Sequence, residues 1–99
     1  MLDESRPAGA GGVLFWTGKY GQYQADCFAR ALGHYGVPAE PNTPISRLDD
    51  GQRAILLYGV ESDQVRELFP NIRPPKTVEN GRFEGVETTL LRRLEEKGG

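Results

Sequence analysis

The side chains best suited to chemistry in this sequence are one cysteine, one histidine and one Gly-Lys pair, and each lacks the partners that catalysis needs. Gly18-Lys19 has neither the glycine five residues earlier nor the following serine or threonine of a phosphate-binding loop. His34 has no orienting partner at a suitable spacing, so it is expected to face solvent or to cap a helix. Cys27 lies among apolar residues, which predicts a buried, inert thiol. The sequence predicts no catalysis by this chain and, with one Cys and one His, no structural zinc site.

A cluster of aromatic side chains interleaved with basic ones is more informative. Trp16, Tyr20 and Tyr23 precede or begin a predicted helix, where side chains are often exposed. Aromatic rings beside basic groups can stack on unpaired bases, whereas the same rings can equally belong to the core. For these three residues both interpretations stay open, and they are the stacking candidates.

Basic side chains concentrate in one part of a slightly acidic chain. The net charge is -2, yet residues 64–82 hold four basic and two acidic side chains. If these basic groups line one edge they can contact phosphates, and the alternative is a solvated loop with scattered charges. The phosphate-contact candidates are Lys19, Arg66, Arg73, Lys76 and Arg82.

Length and composition predict one small domain. The chain has 99 residues, of which 37% are hydrophobic and 26% charged, enough for a single modest core. We expect residues 1–12, rich in glycine and alanine, to be a flexible leading segment, and residues 13–99 to be the domain. No apolar stretch approaches the length of a membrane span, and no secretory signal begins the chain, so a soluble, cytoplasmic protein without membrane contact is expected.

The elements that must position these side chains follow from apolar periodicity and turn residues. Helices are predicted over about 22–35, 46–58 and 86–97, the second in one or two pieces because a glycine interrupts it. Residues 77–83 contain Asn-Gly between extended flanks, which predicts a β-hairpin with a type I′ turn. The expected fold class is therefore α+β: a small single domain with about three helices and a β-hairpin or small antiparallel sheet.

Three motifs, in order and with family-like spacing, carry a resemblance to a known family. They are Leu57-Tyr58-Gly59, Phe83-Glu84-Gly85-Val86 and Leu90-x-Arg92-Arg93-Leu94-x-Glu96, with Leu32-Gly33-His34-Tyr35-Gly36 upstream. This arrangement resembles UvrA, the DNA-damage-recognition ATPase of bacterial nucleotide excision repair (excinuclease ABC), or a divergent UvrA-like protein. The resemblance covers roughly residues 8–97.

The matching part of that family is its insertion domain, a small mobile α/β module that projects from the first ABC ATPase half. The resemblance implies a non-catalytic accessory domain that contributes DNA contacts in damage recognition. It implies no cofactor for this chain, because ATP, magnesium and zinc belong to the parent protein, and the chain would be an excised piece or a stand-alone relative. The implied partners are DNA, bound weakly or only in the full-length protein, the remainder of the ATPase, and through it a UvrB-type repair partner.

A second hypothesis assigns the chain to another class, a protein-interaction or spacer module that docks on the parent ATPase or on a repair partner. Burial of Phe15 and Trp16 in an apolar patch outside the core would favour this function. Basic side chains that converge on one face would favour DNA.

Overall fold

The chain folds into four α-helices, in a computed structural model that describes residues 2–98 and side chains up to residue 96. A short turn joins the second helix to the third, and longer irregular segments over 35–49 and 69–85 make the other two connections. The helices are α1 (Gly18–His34), α2 (Asp50–Tyr58), α3 (Asp63–Leu68) and α4 (Val86–Gly98). An irregular turn spans Ala8–Gly12, and single 3-10 turns span Ile45–Arg47 and Val78–Asn80.

The predicted α+β class is wrong, because the described residues contain no strand and no hairpin. Among the described residues, extended backbone pairs only in two isolated antiparallel bridges, one between Leu2 and Val13 and one between Pro7 and Pro44. A type I′ turn needs positive φ at both central residues, and here only Gly81 adopts it, at φ 102°, while Asn80 stays in the 3-10 turn. The Thr77 carbonyl accepts from the Asn80 and Arg82 amides, at 3.1 and 2.9 Å, which closes a helical turn instead of a strand pair.

Helix α1 begins four residues earlier than its periodicity predicts and ends where expected. Its first turn contains Gly18 and Gly21, residues of low helix propensity that obscure the start. At the other end the Gly36 amide donates to the Gly33 carbonyl at 3.1 Å, and the Val37 amide donates to the Leu32 carbonyl at 2.9 Å. This Schellman arrangement satisfies the last carbonyls and turns the chain away from the helix axis.

The second predicted helix forms in two pieces, one of the two expected arrangements, but the break falls at Leu48 and Asp49, and Gly51 lies inside α2. A 3-10 turn over Ile45–Arg47 precedes α2, and Leu48 between them is extended. Asp49 starts α2 with a capping box: it accepts from the Gln52 amide at 2.8 Å, while the Gln52 side chain accepts from the Asp49 amide at 2.9 Å. The last predicted helix, 86–97, agrees with α4 to within a residue.

The core lies between the apolar face of α1 and the elements that pack across it. Apolar periodicity places six residues on that face: Ala25 is half-buried, and the other five are buried, namely Cys27, Phe28, Ala31, Leu32 and Tyr35. They pack with Val13, Ile45, Ile55, Leu56, Val60, Val65, Phe83 and Val86. Residues from α1, α2, α3 and α4 therefore share one core with the turns between them.

The leading segment makes several contacts with the body of the domain. The Arg6 and Glu4 carbonyls accept from the Ile45 and Ser46 amides at 3.1 and 3.0 Å, and the Glu4 carboxylate pairs with Arg53. These contacts attach the segment to the turn before α2. The flexibility expected of residues 1–12, and the division of the chain at residue 13, stay predictions.

Candidate nucleic-acid interface

The segment that contains most of the basic candidates runs along the side of α1. Near the end of the helix, His34 Nε2 lies 2.7 Å from the carbonyl oxygen of Arg73. Further along, the Cys27 thiol reaches the Val78 carbonyl at 3.9 Å. Gly81 packs on the α1 backbone so closely that an added Cβ would lie 2.6 Å from the Ala31 nitrogen. The chain from 73 to 81 therefore follows α1 from its last turn back to its middle.

This course places several exposed cations along one side of the domain. Arg73 and Lys76 lie on the segment, and Arg30 projects from α1 where Gly81 packs. Arg66 is exposed on α3, and its charge acts on Tyr35 at the C-terminal end of α1: burial raises the pKa of Tyr35, and the Arg66 charge offsets part of that increase. We call Arg30, Arg66, Arg73 and Lys76 the basic edge.

The basic edge carries charges that the rest of the described chain does not neutralise. Among residues 2–96, no carboxylate lies within 4.0 Å of any of its four cations. Four carboxylates, those of Asp26, Asp63, Glu67 and Glu79, are exposed on the same elements, so the edge is mixed in sign. Exposed cations without close carboxylates are the groups that contact phosphate oxygens.

The other two phosphate candidates lie apart from this edge. Arg82 Nε donates to Glu61 Oε1 at 2.5 Å, which compensates its charge at the border of a cleft of about 490 Å³ beside Tyr58. Lys19 is exposed in the first turn of α1, about 16 Å along the helix from Arg30 at 1.5 Å per residue. The structure therefore groups three of the five predicted cations, Arg66, Arg73 and Lys76.

The three stacking candidates have different environments. The Trp16 ring is half-buried and packs edge-on against Phe83, with ring centroids 5.8 Å apart. Tyr20 is half-buried and packs under a guanidinium, whereas the Tyr23 side chain is 50% exposed. Trp16 thus joins the margin of the core, and of the three rings Tyr23 presents the largest exposed fraction to a ligand.

The sequence does not reveal the contact made by Arg93. Its guanidinium carbon lies 5.3 Å from the Phe15 ring centroid and 5.1 Å from the Tyr20 ring centroid. Cation–π contacts at such distances attach the end of the chain to the start of α1. More than seventy residues separate these partners, so no local spacing signals the contact.

Arg92, next in the chain to Arg93, is held by carboxylates. It forms a two-point contact with Glu84, at 2.8 and 3.1 Å, and reaches Glu96 at 3.2 Å, the pair that the four-residue spacing favours. Hydrogen bonding to Arg92 holds the pKa of Glu84 below its usual range. Arg92 therefore supports α4 and is not free to contact a phosphate.

The residues tested for catalysis have structural surroundings. Cys27 is buried, and its burial raises the thiol pKa, which keeps it protonated as predicted for an inert core cysteine. His34 is exposed at the last turn of α1, as expected, and contacts the Arg73 carbonyl. Within the part of the chain that the structure describes, no group of His, Cys, Asp and Glu residues is close enough to hold a metal ion. None of the helices there has the length and apolar character needed to cross a membrane.

The fold and the site define a small helical domain with a cationic edge. The family model of the UvrA DNA-binding domain matches residues 1–98, and the chain belongs to that family. No curated protein and no solved structure matches the chain.

Proposed function

We propose that this chain is a non-catalytic accessory domain, the insertion domain of a UvrA-like excision-repair ATPase, and that it contributes DNA contacts in damage recognition. Its membership of the UvrA DNA-binding domain family supports a DNA-binding role in excision repair. The observation that carries the proposal is the course of residues 73–81 along α1, fixed at His34 and Gly81. Arg73 and Lys76 lie on this course without close carboxylates among the described residues, which supports contacts with the phosphates of a DNA backbone.

The same proposal covers the surroundings in which the domain acts. The remainder of a UvrA-like ABC ATPase would supply nucleotide hydrolysis, and a UvrB-type partner would be reached through that parent protein in the cytoplasm. Residues 13–99 would form the insertion domain proper. A net charge of -2 supports weak binding by the domain alone, strengthened in the full-length context, because a slightly acidic chain gains little from long-range attraction to DNA.

Fluorescence anisotropy with labelled duplexes, one intact and one carrying a single bulky lesion, tests the proposal. At low salt we expect saturable binding to both duplexes by the 99-residue chain, and tighter binding to the damaged one. Arg47→Gln, which removes an exposed cation outside the basic edge, should leave the affinity within about twofold, since a cation away from the DNA contributes little. An anisotropy that stays flat at low salt would exclude DNA contacts by this chain.

One observation favours the second function, a protein-interaction or spacer module that docks on the parent ATPase or a repair partner. Helix α4 leaves Leu91 and Leu94 61% and 66% exposed, three residues apart on one side of the helix. Adjacent exposed leucines are typical of a surface that another protein covers. Trp16, by contrast, packs on the core residue Phe83 and forms no separate apolar patch there.

A further inference from the structure

A groove of about 540 Å³ runs along α1, bounded by two stretches of irregular chain. The helix supplies the floor with Ala25, Phe28 and Ala29, and the walls are the turn over Ala8–Gly12 and the loop over 38–43. Its volume lies within the range of roughly 300–1,000 Å³ that is typical of ligand-binding pockets. None of the residues that define the basic edge lines this groove, although Arg30 lies one turn after Asp26 on α1.

Hydrogen bonds and close packing hold both walls in place, so the groove exists before anything binds. The Gln52 side-chain amide donates to the Val37 carbonyl at 2.9 Å, and Pro44 bridges to Pro7 at the far end of the loop. The opposite wall approaches α1 closely, since an added Cβ at Gly9 would lie 3.1 Å from the Ala25 Cβ. A preformed site avoids part of the entropy cost of ordering a surface on binding.

The charge of the groove indicates what it binds. Its lining includes two carboxylates, Asp26 and Glu40, and no lysine or arginine. The Gln22 side-chain amide donates to Asp26 Oδ1 at 2.9 Å, and along the described chain no cation lies within 4.0 Å of either carboxylate. Two uncompensated carboxylates repel a phosphate backbone and attract a lysine or arginine.

We propose that this groove is a docking site for a short segment of a partner protein, in which one or two apolar side chains are flanked by lysine or arginine. The apolar side chains would occupy the floor formed by Ala25, Phe28 and Ala29. The flanking cations would pair with Asp26 and Glu40 at the rim. Such a partner binds on a surface other than the basic edge, so the domain can hold DNA and protein at once.

The test uses two synthetic hexapeptides with the same Leu-Phe centre, one flanked by lysines and the other by glutamates. Titrated into the ¹⁵N-labelled 99-residue chain, the lysine peptide should shift the amides of Ala25, Ala29 and Ala39 in a saturable way. The glutamate peptide should bind at least about fivefold more weakly, as expected for two solvent-exposed ion pairs. Shifts outside the groove, or no shifts with either peptide, would overturn the proposal.

Isosteric variants separate this site from the DNA contacts. D26N/E40Q keeps the size of both side chains and should reduce the preference for the lysine peptide to less than about twofold. Ala29→Trp should fill the floor and abolish binding of the lysine peptide, while its own amide spectrum reports whether the fold is kept. Arg73→Gln, on the basic edge, should leave peptide binding unchanged. An equal preference in the wild type and in D26N/E40Q would contradict the assignment of Asp26 and Glu40.

Discussion

His34 Nε2 and the carbonyl oxygen of Arg73 lie 2.7 Å apart, at the point where a proline-rich loop meets the last turn of α1. A carbonyl oxygen can only accept a hydrogen bond, so His34 Nε2 is the donor in this contact. Tyr35 adds a second contact at this end of the helix, with its ring 4.8 Å from that of Phe69. Together these contacts fix the start of the segment that carries the basic edge.

His34→Ala should loosen that segment without unfolding the domain. An exposed hydrogen bond of this kind contributes about 0.5–1 kcal/mol, so the free energy of unfolding from urea denaturation should fall by about that amount. Hydrogen exchange at the amides of residues 76–82 should accelerate more than exchange in α2. Unchanged exchange in this segment would show that the contact does not hold it.

Gly81→Ala should destabilise the protein strongly, because position 81 has a positive φ and touches the backbone of α1. With φ at 102° and an added Cβ 2.6 Å from the Ala31 nitrogen, we expect a loss of about 3 kcal/mol in urea denaturation. Gly33→Ala is the matched control: position 33 lies in α1, open space surrounds its Cβ, and alanine should stabilise the helix by up to about 1 kcal/mol. Equal effects of the two substitutions would refute this account of the turn.

Arg93→Ala should remove the attachment between α4 and the start of α1. Two cation–π contacts at partly exposed positions contribute about 1–2 kcal/mol together, which urea denaturation can measure. Arg93→Lys keeps the charge and loses the flat guanidinium, so its loss should be smaller. In a double-mutant cycle with Tyr20→Leu, a coupling energy of zero would be incompatible with direct contact between the two side chains.

The Glu84–Arg92 pair should make stability depend on pH in the acid range. Arg92 lowers the pKa of Glu84 in the folded state, so the pair stabilises the protein above the usual glutamate pKa near 4.5. This contribution is lost as the pH falls through the lowered folded value. Between pH 7 and pH 3, the urea midpoint of the wild type should therefore fall further than that of Glu84→Gln. Parallel curves for the two proteins would show that the pair has no such effect.

The predictable part of the fold was the part with a strong repeating pattern. The apolar face of α1 and the bounds of α4 follow from periodicity, because each helix buries one side in the core. The apolar residues of α4 recur at helical spacing, yet only part of that stripe is covered: Val86 is buried and Leu90 half-buried, whereas Leu91 and Leu94 face outward. Periodicity gives the direction of an apolar face but not how much of it a small core covers.

The unpredictable part depended on contacts between distant residues. Asn-Gly is a strong local hairpin signal, yet Gly81 is needed here because it touches α1, fifty residues earlier in the chain. The contact of Arg93 with Phe15 and Tyr20 has the same character. For the site, local charge predicts phosphate contacts by Arg73 and Lys76, which stay predictions, but it could not show that Glu61 pairs with Arg82.

The salt dependence of DNA binding tests the basic edge most directly. A plot of log affinity against log salt has a slope that reports the number of phosphates neutralised, at about 0.9 per contact. R73Q/K76Q removes two cations and should therefore flatten the slope by about 1.8. Glu79→Gln removes a carboxylate from the same segment and should raise the affinity for DNA at low salt. Arg47→Gln should leave the slope unchanged. A slope in R73Q/K76Q equal to that of the wild type would contradict DNA contact at this edge.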